Sequence, residues 1–503
     1  MLFFRNGAAK NGPDRPPERW DFSLICLFLG LAAYACSKTE ADPDLWGHIK
    51  FGQDLWRTGQ VLRSDFYSYL TAGQTWINHE WLSEAIFAFV FSLGPAVLIA
   101  FKAALAFSVL WLGYRFLRRR GLSVMRAGLL VSLSLLPFAA HLHVIRPLIF
   151  SWLLFLLTLF IIHAAENGER RWLWWAPLLF ALWANLHGGF LAGIGMLFLW
   201  SLLRPKMAWL LLACVAATLA NPYGIGLWRF LLRTALWPRW EIGEWQPLML
   251  QTFPGAGYLA LLALAVAGFI YSRRERSRAG TLLWIGTALL PLLAVRHSLF
   301  FVLGLWVFAG EHIGDVWERY LPQGGPAGLV AKLRAWLCGL HFAGAAVLLV
   351  LASQNFRCIA IVPPPHYPAG AVSLLKEAGV NADMAVHFDW GEYVLYHLGP
   401  GIRVSMDGRR ETLYSESVYR EQLNFIAGVN RWDAALDRGK PELALVSREF
   451  PVFNLMNAKP GWVRAYEDAY SGLFVRRESP WLQPLLALAR QRSQKPSYPC
   501  AGW

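Results

Sequence analysis

Apolar residues fall in long runs over roughly the first 350 positions and in short runs afterwards. The long runs are 20–36, 96–117, 123–140, 147–164, 172–186, 188–203, 207–220, 256–271, 281–295, 298–310 and 335–353. A bilayer core needs about 20 mostly apolar residues per spanning helix, so the pattern predicts about 11 transmembrane helices. A further run, 81–93, is too short to span and predicts a helix lying in the interface. Basic groups mark alternate connections: Arg118-Arg119-Arg120, Arg170-Arg171, Arg204 with Lys206, Arg273 to Arg278, and Lys332 with Arg334. Positively charged loops stay in the cytoplasm. The N-terminus is therefore expected inside and the C-terminus outside. The outer side would receive 38–95, His141 to Arg146, the turn at His187, 221–255, the turn at Arg296-His297 and everything after about 354.

Beyond 354 the rhythm becomes that of a small α/β domain. Strands are expected at 385–388, 402–406, 443–447 and 473–476, with helices at 411–426, 430–438 and 450–458. Residues 462–466 and 472–475 suggest an edge hairpin. The expected division is a membrane body over 1–353 (with 38–95 as its first outer loop), a periplasmic domain over 354–478 and a tail over 479–503. The tail holds an amphipathic stretch (Trp481, Leu482, Leu485, Leu486, Leu488) that could lie on the membrane, lie on the domain or stay disordered. Ala33-Tyr34-Ala35 before Cys36 resembles the end of a leader. Lipoprotein sites usually carry a Leu three residues before the cysteine, and position 33 is Ala, so an uncleaved anchor is expected.

Composition agrees with this reading. Hydrophobic residues make up 56% of the 503 and charged residues 16%. Soluble chains average about 45–50% and about 25%. The net charge of +14 would suggest a nucleic-acid partner in a soluble protein. Here the excess lies mainly in the inner loops, so it reports orientation. Cys26, Cys36, Cys214, Cys338, Cys358 and Cys500 have no metal-ligand spacing. Only Cys358 and Cys500 fall outside apolar runs, and they could pair if that region is periplasmic.

Chemistry concentrates on the expected outer side. Asp42-Pro43-Asp44-Leu45-Trp46-Gly47-His48 predicts a helix capped by Asp42 with Pro43 at its first position. Asp44 and His48 then share a face, and Leu45, Ile49, Leu55 and Trp56 form an apolar stripe that could rest on the bilayer. The acids could serve as a base or as metal ligands, or only favour the helix N-terminus. His79 and Glu80 lie just before the interfacial helix. His48, His79, His141, His143, His187 and His297 all fall on expected outer turns. Arg146 and Arg296 could hold a phosphate. Lys102, about two turns inside a span, could reach an anionic headgroup. Asn221-Pro222-Tyr223-Gly224 opens a loop with Trp228, Trp237, Trp240 and Trp245, which could be an aromatic belt or a sugar platform. Asp407-Gly408-Arg409-Arg410 reads as a turn with an internal Asp–Arg pair or as an acceptor contact. No phosphate-binding glycine loop, HExxH or CxxC occurs.

These motifs resemble the GT-C superfamily of polytopic glycosyltransferases. More narrowly, they are similar to bacterial membrane proteins related to the protein mannosyltransferases. The shared elements are Asp-x-Asp-Leu-Trp-x-His (42–48), Asn-His-Glu-Trp-Leu (78–82), Asn-Leu-His-Gly-Gly (185–189), Asn-Pro-Tyr-Gly (221–224) and Asp-Gly-Arg (407–409). The likeness covers most of 20–478. Many of that group carry a second Trp where this chain has Gly47.

The resemblance implies a GT-C-like helical membrane protein in a bacterial inner membrane. It would transfer a sugar from a polyprenyl-phosphate carrier to a glycan, lipid or protein acceptor on the outer face. The catalytic acid maps to Asp42 or Asp44, with Asp44 favoured because His48 shares its face, and Glu80 is a third candidate. Substrate contacts would come from His48, His79, Lys102, His143, Arg146, His187, Trp245, Arg296 and His297. Some relatives use a divalent metal, Mg or Mn, for which Asp42 and Asp44 are the candidate ligands. The rival readings are a lipid or glycan flippase and a non-catalytic envelope assembly scaffold. A flippase would favour inverted repeats and mid-membrane polar groups, and neither stands out.

Overall fold

The computed structural model describes residues 19–235, 242–320, 329–357, 359–360, 367–491 and 500–501. The chain forms two compact units that do not follow chain order. One comprises Met1–Thr39, Ala96–Ile225 and Ala235–Arg357; the other comprises Glu40–Pro95, Gly226–Thr234 and Cys358–Trp503. Residues 40–95, grouped by sequence with the membrane body, thus fold with the C-terminal part instead.

The first unit is helical. Six described helices are long and apolar enough to cross a bilayer: Arg19–Ser37, Pro95–Arg119, Leu148–Glu166, Phe253–Tyr271, Val295–Tyr320 and Leu333–Asn355. Leu148–Glu166 and Val295–Tyr320 are the most enclosed of these six. The other five expected spans are also helical but shorter: Val124–Leu133, Ala176–Leu186, Phe190–Leu203, Ala208–Ala217 and Arg278–Leu293. At about 1.5 Å per residue, helices of this length fall short of a core about 30 Å thick. Helix length alone therefore supports six spans. Arginines of the basic connections find acids at helix ends. Arg204 grips Glu166 through Nε and Nη2, each at 2.9 Å, and Arg120 pairs with Glu311.

Lys102 does not have the role expected from sequence. Its side chain is fully buried, and Nζ donates to the carbonyls of Cys36 (2.9 Å), Lys38 (2.6 Å) and Leu142 (2.8 Å). An ammonium has three protons to give, and three backbone oxygens take them. Lys102 therefore ties Pro95–Arg119 to the end of Arg19–Ser37 and to the turn Ala139–His143, instead of reaching for a headgroup.

The second unit is built on a sheet. The strands are β1 (Ile359–Ala360), β2 (Ala382–Val386), β3 (Ile402–Val404), β4 (Leu443–Ser447), β5 (Trp462–Glu467), β6 (Ser471–Arg476) and β7 (Cys500–Ala501). Five of them order as β3-β2-β4-β6-β5; β1 pairs separately with β7. β2 runs parallel to β3 and β4, and the β5–β6 hairpin adds antiparallel strands, with β5 at the edge as expected. β2 begins and ends earlier than the sequence suggests, because Phe388 belongs to a following turn.

An exposed strand edge invites foreign pairing. The open edge of β3 is covered from within: Val404 N donates to Tyr67 O (3.0 Å) and Tyr69 N to Val404 O (3.2 Å). The expected helix at 411–426 breaks at Ser415, which caps Glu416–Ala427. Among the described residues, three helices escaped the sequence reading: Ile225–Ala235, Ala369–Glu377 and Gly391–Leu398. The tail's amphipathic helix, Leu482–Gln491, packs on β5 and Ala369–Glu377 and buries Leu482 and Leu485. It therefore belongs to the domain. Cys358 lies outside the described residues, so its pairing with Cys500 does too.

Replacing Lys102 by Met would strand three buried carbonyls. K102M is expected to destabilise the protein by roughly 3–5 kcal/mol, read as a lower melting temperature in detergent. An unchanged melting temperature would contradict this role.

Candidate functional site

Of the residues singled out by sequence, Asp42, Asp44, His48, His79 and Glu80 lie in the sheet-containing unit. Lys102, His143, Arg146, His187, Trp245, Arg296 and His297 lie in the helical unit.

The acidic helix forms as its sequence predicts. Asp42 is extended (φ −93°, ψ 165°), and its Oδ1 accepts from Leu45 N at 3.2 Å. Pro43 begins a helix that runs to Thr58. Its apolar stripe does not lie open to a bilayer. Leu45 and Ile49 are fully buried, and the helix packs on Trp81–Ser92 and Gly391–Leu398. Trp56 alone stays largely exposed, with Nε1 donating to Ala85 O at 2.8 Å.

Asp44 meets a carboxyl that the sequence reading missed. β2 is followed by Asp389-Trp390-Gly391-Glu392, and β3 by Asp407-Gly408-Arg409. Both segments therefore sit at the carboxyl ends of neighbouring parallel strands, where α/β sheets commonly hold ligands. A Cβ built on Gly408 would lie 2.6 Å from Glu392 Oε1 and 2.8 Å from Asp44 Oδ1. The two carboxyl groups thus converge on one bare stretch of backbone. Gly47 N donates to Glu392 Oε2 at 3.1 Å, and a Cβ on Gly47 would come within 2.1 Å of that oxygen. Glu392 occupies the space that any side chain at position 47 would need. Burial, then the charges of Asp44 and Asp407, push the Glu392 carboxyl well above the usual range despite the opposing pull of Arg409. Burial and Asp44 likewise raise Asp389 to about 6. Neighbouring acids in unlike environments are a common way to separate a base from a proton donor.

His48 pairs with an acid that the sequence analysis passed over. Its Nδ1 lies 3.6 Å from Glu84 Oε1, and Asn78 donates to the other Glu84 oxygen. Burial alone would lower the His48 pKa. The Glu84 hydrogen bond and the charges of Glu80, Glu84 and Asp44 outweigh it and raise the value to about 8. His79 Nε2 sits 3.6 Å from Glu80 Oε1, with its ring against Phe230.

Asp407-Gly408-Arg409 forms an internal ion pair. Arg409 donates Nε to Asp407 Oδ1 (2.9 Å), Nη2 to Asp407 Oδ2 (2.6 Å) and Nη1 to Asp65 Oδ1 (2.8 Å). Its guanidinium carbon lies 4.7–5.0 Å from the ring centres of Phe51, Tyr67 and Trp76.

In the helical unit, Arg146 and Arg296 share one acid. Arg146 Nη1 lies 2.6 Å from Glu244 Oε2, and Arg296 Nη1 lies 3.2 Å from Glu244 Oε1. Arg296 also stacks 4.4 Å above the Trp245 ring. Burial lowers the pKa of nearby His141 to about 4, with Glu244 opposing and both arginines reinforcing the shift. The His297 ring stacks on Phe300. His187 Nδ1 lies 2.7 Å from Ser151 Oγ and accepts from Gly189 N at 2.9 Å. His143 stands at the end of the turn Ala139–His143. Asn221-Pro222-Tyr223-Gly224 is a self-bonded turn in which Tyr223 N donates to Asn221 Oδ1 at 2.8 Å. Trp237 and Trp240 lie outside the described residues.

Among the described residues, no group of three His, Cys, Asp or Glu is arranged to hold a metal. A Mg or Mn ion on Asp42 and Asp44 would leave most of its coordination to water or substrate, and Asp42 Oδ1 already caps the helix. The residues missed from sequence are Glu84, Glu244, Asp389 and Glu392. A lone acid in an apolar helix could have signalled Glu84, and an acid just past a strand end Glu392. Glu244 carried only its adjacency to Trp245.

The sequence matches no protein-family model and no curated protein. The structure is similar to the oligosaccharyltransferase of Archaeoglobus fulgidus in its apo form (TM-score 0.58, 12% identity, 86% of this chain and 70% of that one). It is also similar to oligosaccharyltransferase AglB of A. fulgidus in complex with an inhibitory peptide and a dolichol-phosphate (TM-score 0.58, 11% identity, 92% and 74%). A third likeness is to arabinofuranosyltransferase AftD from Mycobacteria (TM-score 0.53, 15% identity), covering 93% of this chain but 40% of that longer one.

A histidine whose pKa is raised on folding stabilises the fold fully below its unfolded value and ceases to do so as pH rises through the folded value. For His48 the window lies between about 6.5 and about 8, with about 2 kcal/mol at stake. The parent's melting temperature is expected to fall across that window and that of H48Q to fall less. Parallel curves would remove His48 as the source.

Proposed function

Because the chain carries the GT-C fold, we propose that it is a membrane glycosyltransferase moving a sugar from a polyprenyl-phosphate carrier to an acceptor hydroxyl. The observation that carries this reading is the placement of Asp44. Its carboxylate meets Glu392 at Gly408, at the carboxyl ends of β2 and β3, whereas Asp42 Oδ1 is spent on a helix cap. Asp44 is accordingly the base. It takes the acceptor proton as that acceptor atom bonds to the anomeric carbon. The bond from that carbon to the phosphate oxygen breaks, and its electron pair leaves with the lipid phosphate. Cationic groups stabilise the departing charge.

Further support comes from the neighbours. AglB was captured with a dolichol-phosphate and a peptide, which fits a lipid-phosphate donor and allows a protein acceptor. The alternating basic connections favour an inner-membrane protein with the acidic helix and the C-terminal domain on the outer face. Trp245, His79 and His187 would then contribute to substrate binding.

The test follows consumption of a panel of polyprenyl-phosphate sugars in proteoliposomes. D44N is expected to lose about 10²–10⁴ in rate, whereas D42N, whose amide oxygen can still cap the helix, should stay close to the parent. E392Q, which keeps an acceptor for Gly47 N–H, should remain within about tenfold of the parent. Parent-like turnover by a folded D44N variant would defeat the proposal, and lipid transport without sugar transfer would favour a flippase.

A further inference from the structure

Glu244 bridges two arginines with one oxygen each. Two oxygens of a phosphate, set at a similar spacing, could make the same pair of contacts. The bridge is partly open: the Arg146, Arg296 and Glu244 side chains are 24%, 14% and 24% exposed. Arg296 lies over the Trp245 ring, its guanidinium carbon 4.4 Å from the ring centre. The backbone just after Trp245 is tied to the helix end and turn that carry Arg296, with Val295 N donating to Gln246 O (2.8 Å) and Leu248 N to Pro291 O (3.0 Å). Glu244 itself belongs to a three-residue turn, Gly243–Trp245, and meets the two arginines through its carboxylate.

We propose that Arg146 and Arg296 form an anion clamp whose resting counterion is Glu244, and that the donor's phosphate displaces it. This rests on the transferase reading and adds a charge preference to it. A polyprenyl-phosphate sugar is a phosphodiester with one negative charge. Replacing Glu244 by it exchanges one charge for another, with little net gain. When the sugar departs, the breaking C–O bond leaves its electron pair on the phosphate. That group becomes a monoester whose second pKa is near 6, so it carries close to two charges at neutral pH. The clamp then holds a stronger anion than Glu244. Its grip tightens as the leaving group forms, which is the kind of differential binding that lowers a barrier. Glu244 also offers a way out: it competes for the arginines and speeds release of the spent lipid phosphate.

The probes are farnesyl phosphate and its methyl diester, titrated calorimetrically into the full-length protein in nanodiscs. The parent should bind the monoester about tenfold more tightly than the diester. E244Q removes the competing charge and should tighten both, the diester by about five- to tenfold. R146Q and R296Q should weaken both. E244D, too short to bridge both arginines, should shift in the same direction as E244Q and stands in if E244Q fails to fold. Unchanged or weaker binding by folded E244Q, or equal affinity of the parent for the two probes, would overturn the proposal. A protein that shows this exchange yet transfers no sugar would sink the transferase reading and leave the clamp standing.

Discussion

A guanidinium taken wholly out of water must be matched on every side, since an unpaired buried charge costs several kcal/mol. Arg409 is matched by parts drawn from distant stretches of the chain. Asp407 supplies two oxygens from the turn after β3, Asp65 supplies one from the loop at 60–76, and Phe51, Tyr67 and Trp76 supply ring faces. That loop has little regular structure to fix its course. Asp65 instead receives bonds from Tyr67 N, Ser68 N, Thr71 Oγ1 and Arg409, and so turns the loop around its own carboxylate. The same arrangement brings Tyr67 and Tyr69 against the edge of β3. It also fixes Gly408, whose bare backbone lies beside Asp44 and Glu392. The candidate site thus depends on a charge that takes no part in its chemistry.

The two units carry opposite electrostatic problems. In one, Asp44, Asp389, Glu392 and Asp407 crowd together, and burial and mutual repulsion raise the carboxyls of Asp389 and Glu392. In the other, two arginines crowd together and one glutamate relieves them.

Much of this was legible in sequence where the pattern is local. The N-cap at Asp42 and helix start at Pro43, the hairpin at 462–476 and the α/β rhythm all follow from neighbouring residues. What failed depends on long-range contact. Nothing around Lys102 says that three carbonyls from two other segments will surround it. Nothing near Glu392 in the sequence says that Gly47 will face it. The stripe Leu45–Ile49 is amphipathic in either setting, and only the fold decides that protein, not lipid, covers it. The shorter helices at 124–133 and 208–217 show the limit of hydropathy: it finds apolar runs but not where turns cut them.

The sheet-containing unit is interrupted in sequence by nearly the whole helical unit, and this has a consequence for how the protein is made. Residues 40–95 leave the ribosome early, yet Glu392, Asp407 and Arg409 come from beyond 358. At about 5–20 residues per second, the intervening helices take on the order of ten seconds or more to synthesise. Throughout that time Asp65 lacks its arginine, and Phe51, Tyr67 and Trp76 lack the cation they will enclose. Asp44 and Glu392 therefore cannot meet until the intervening helices have been made. A chain truncated during synthesis carries the acidic helix without the carboxyl that faces it.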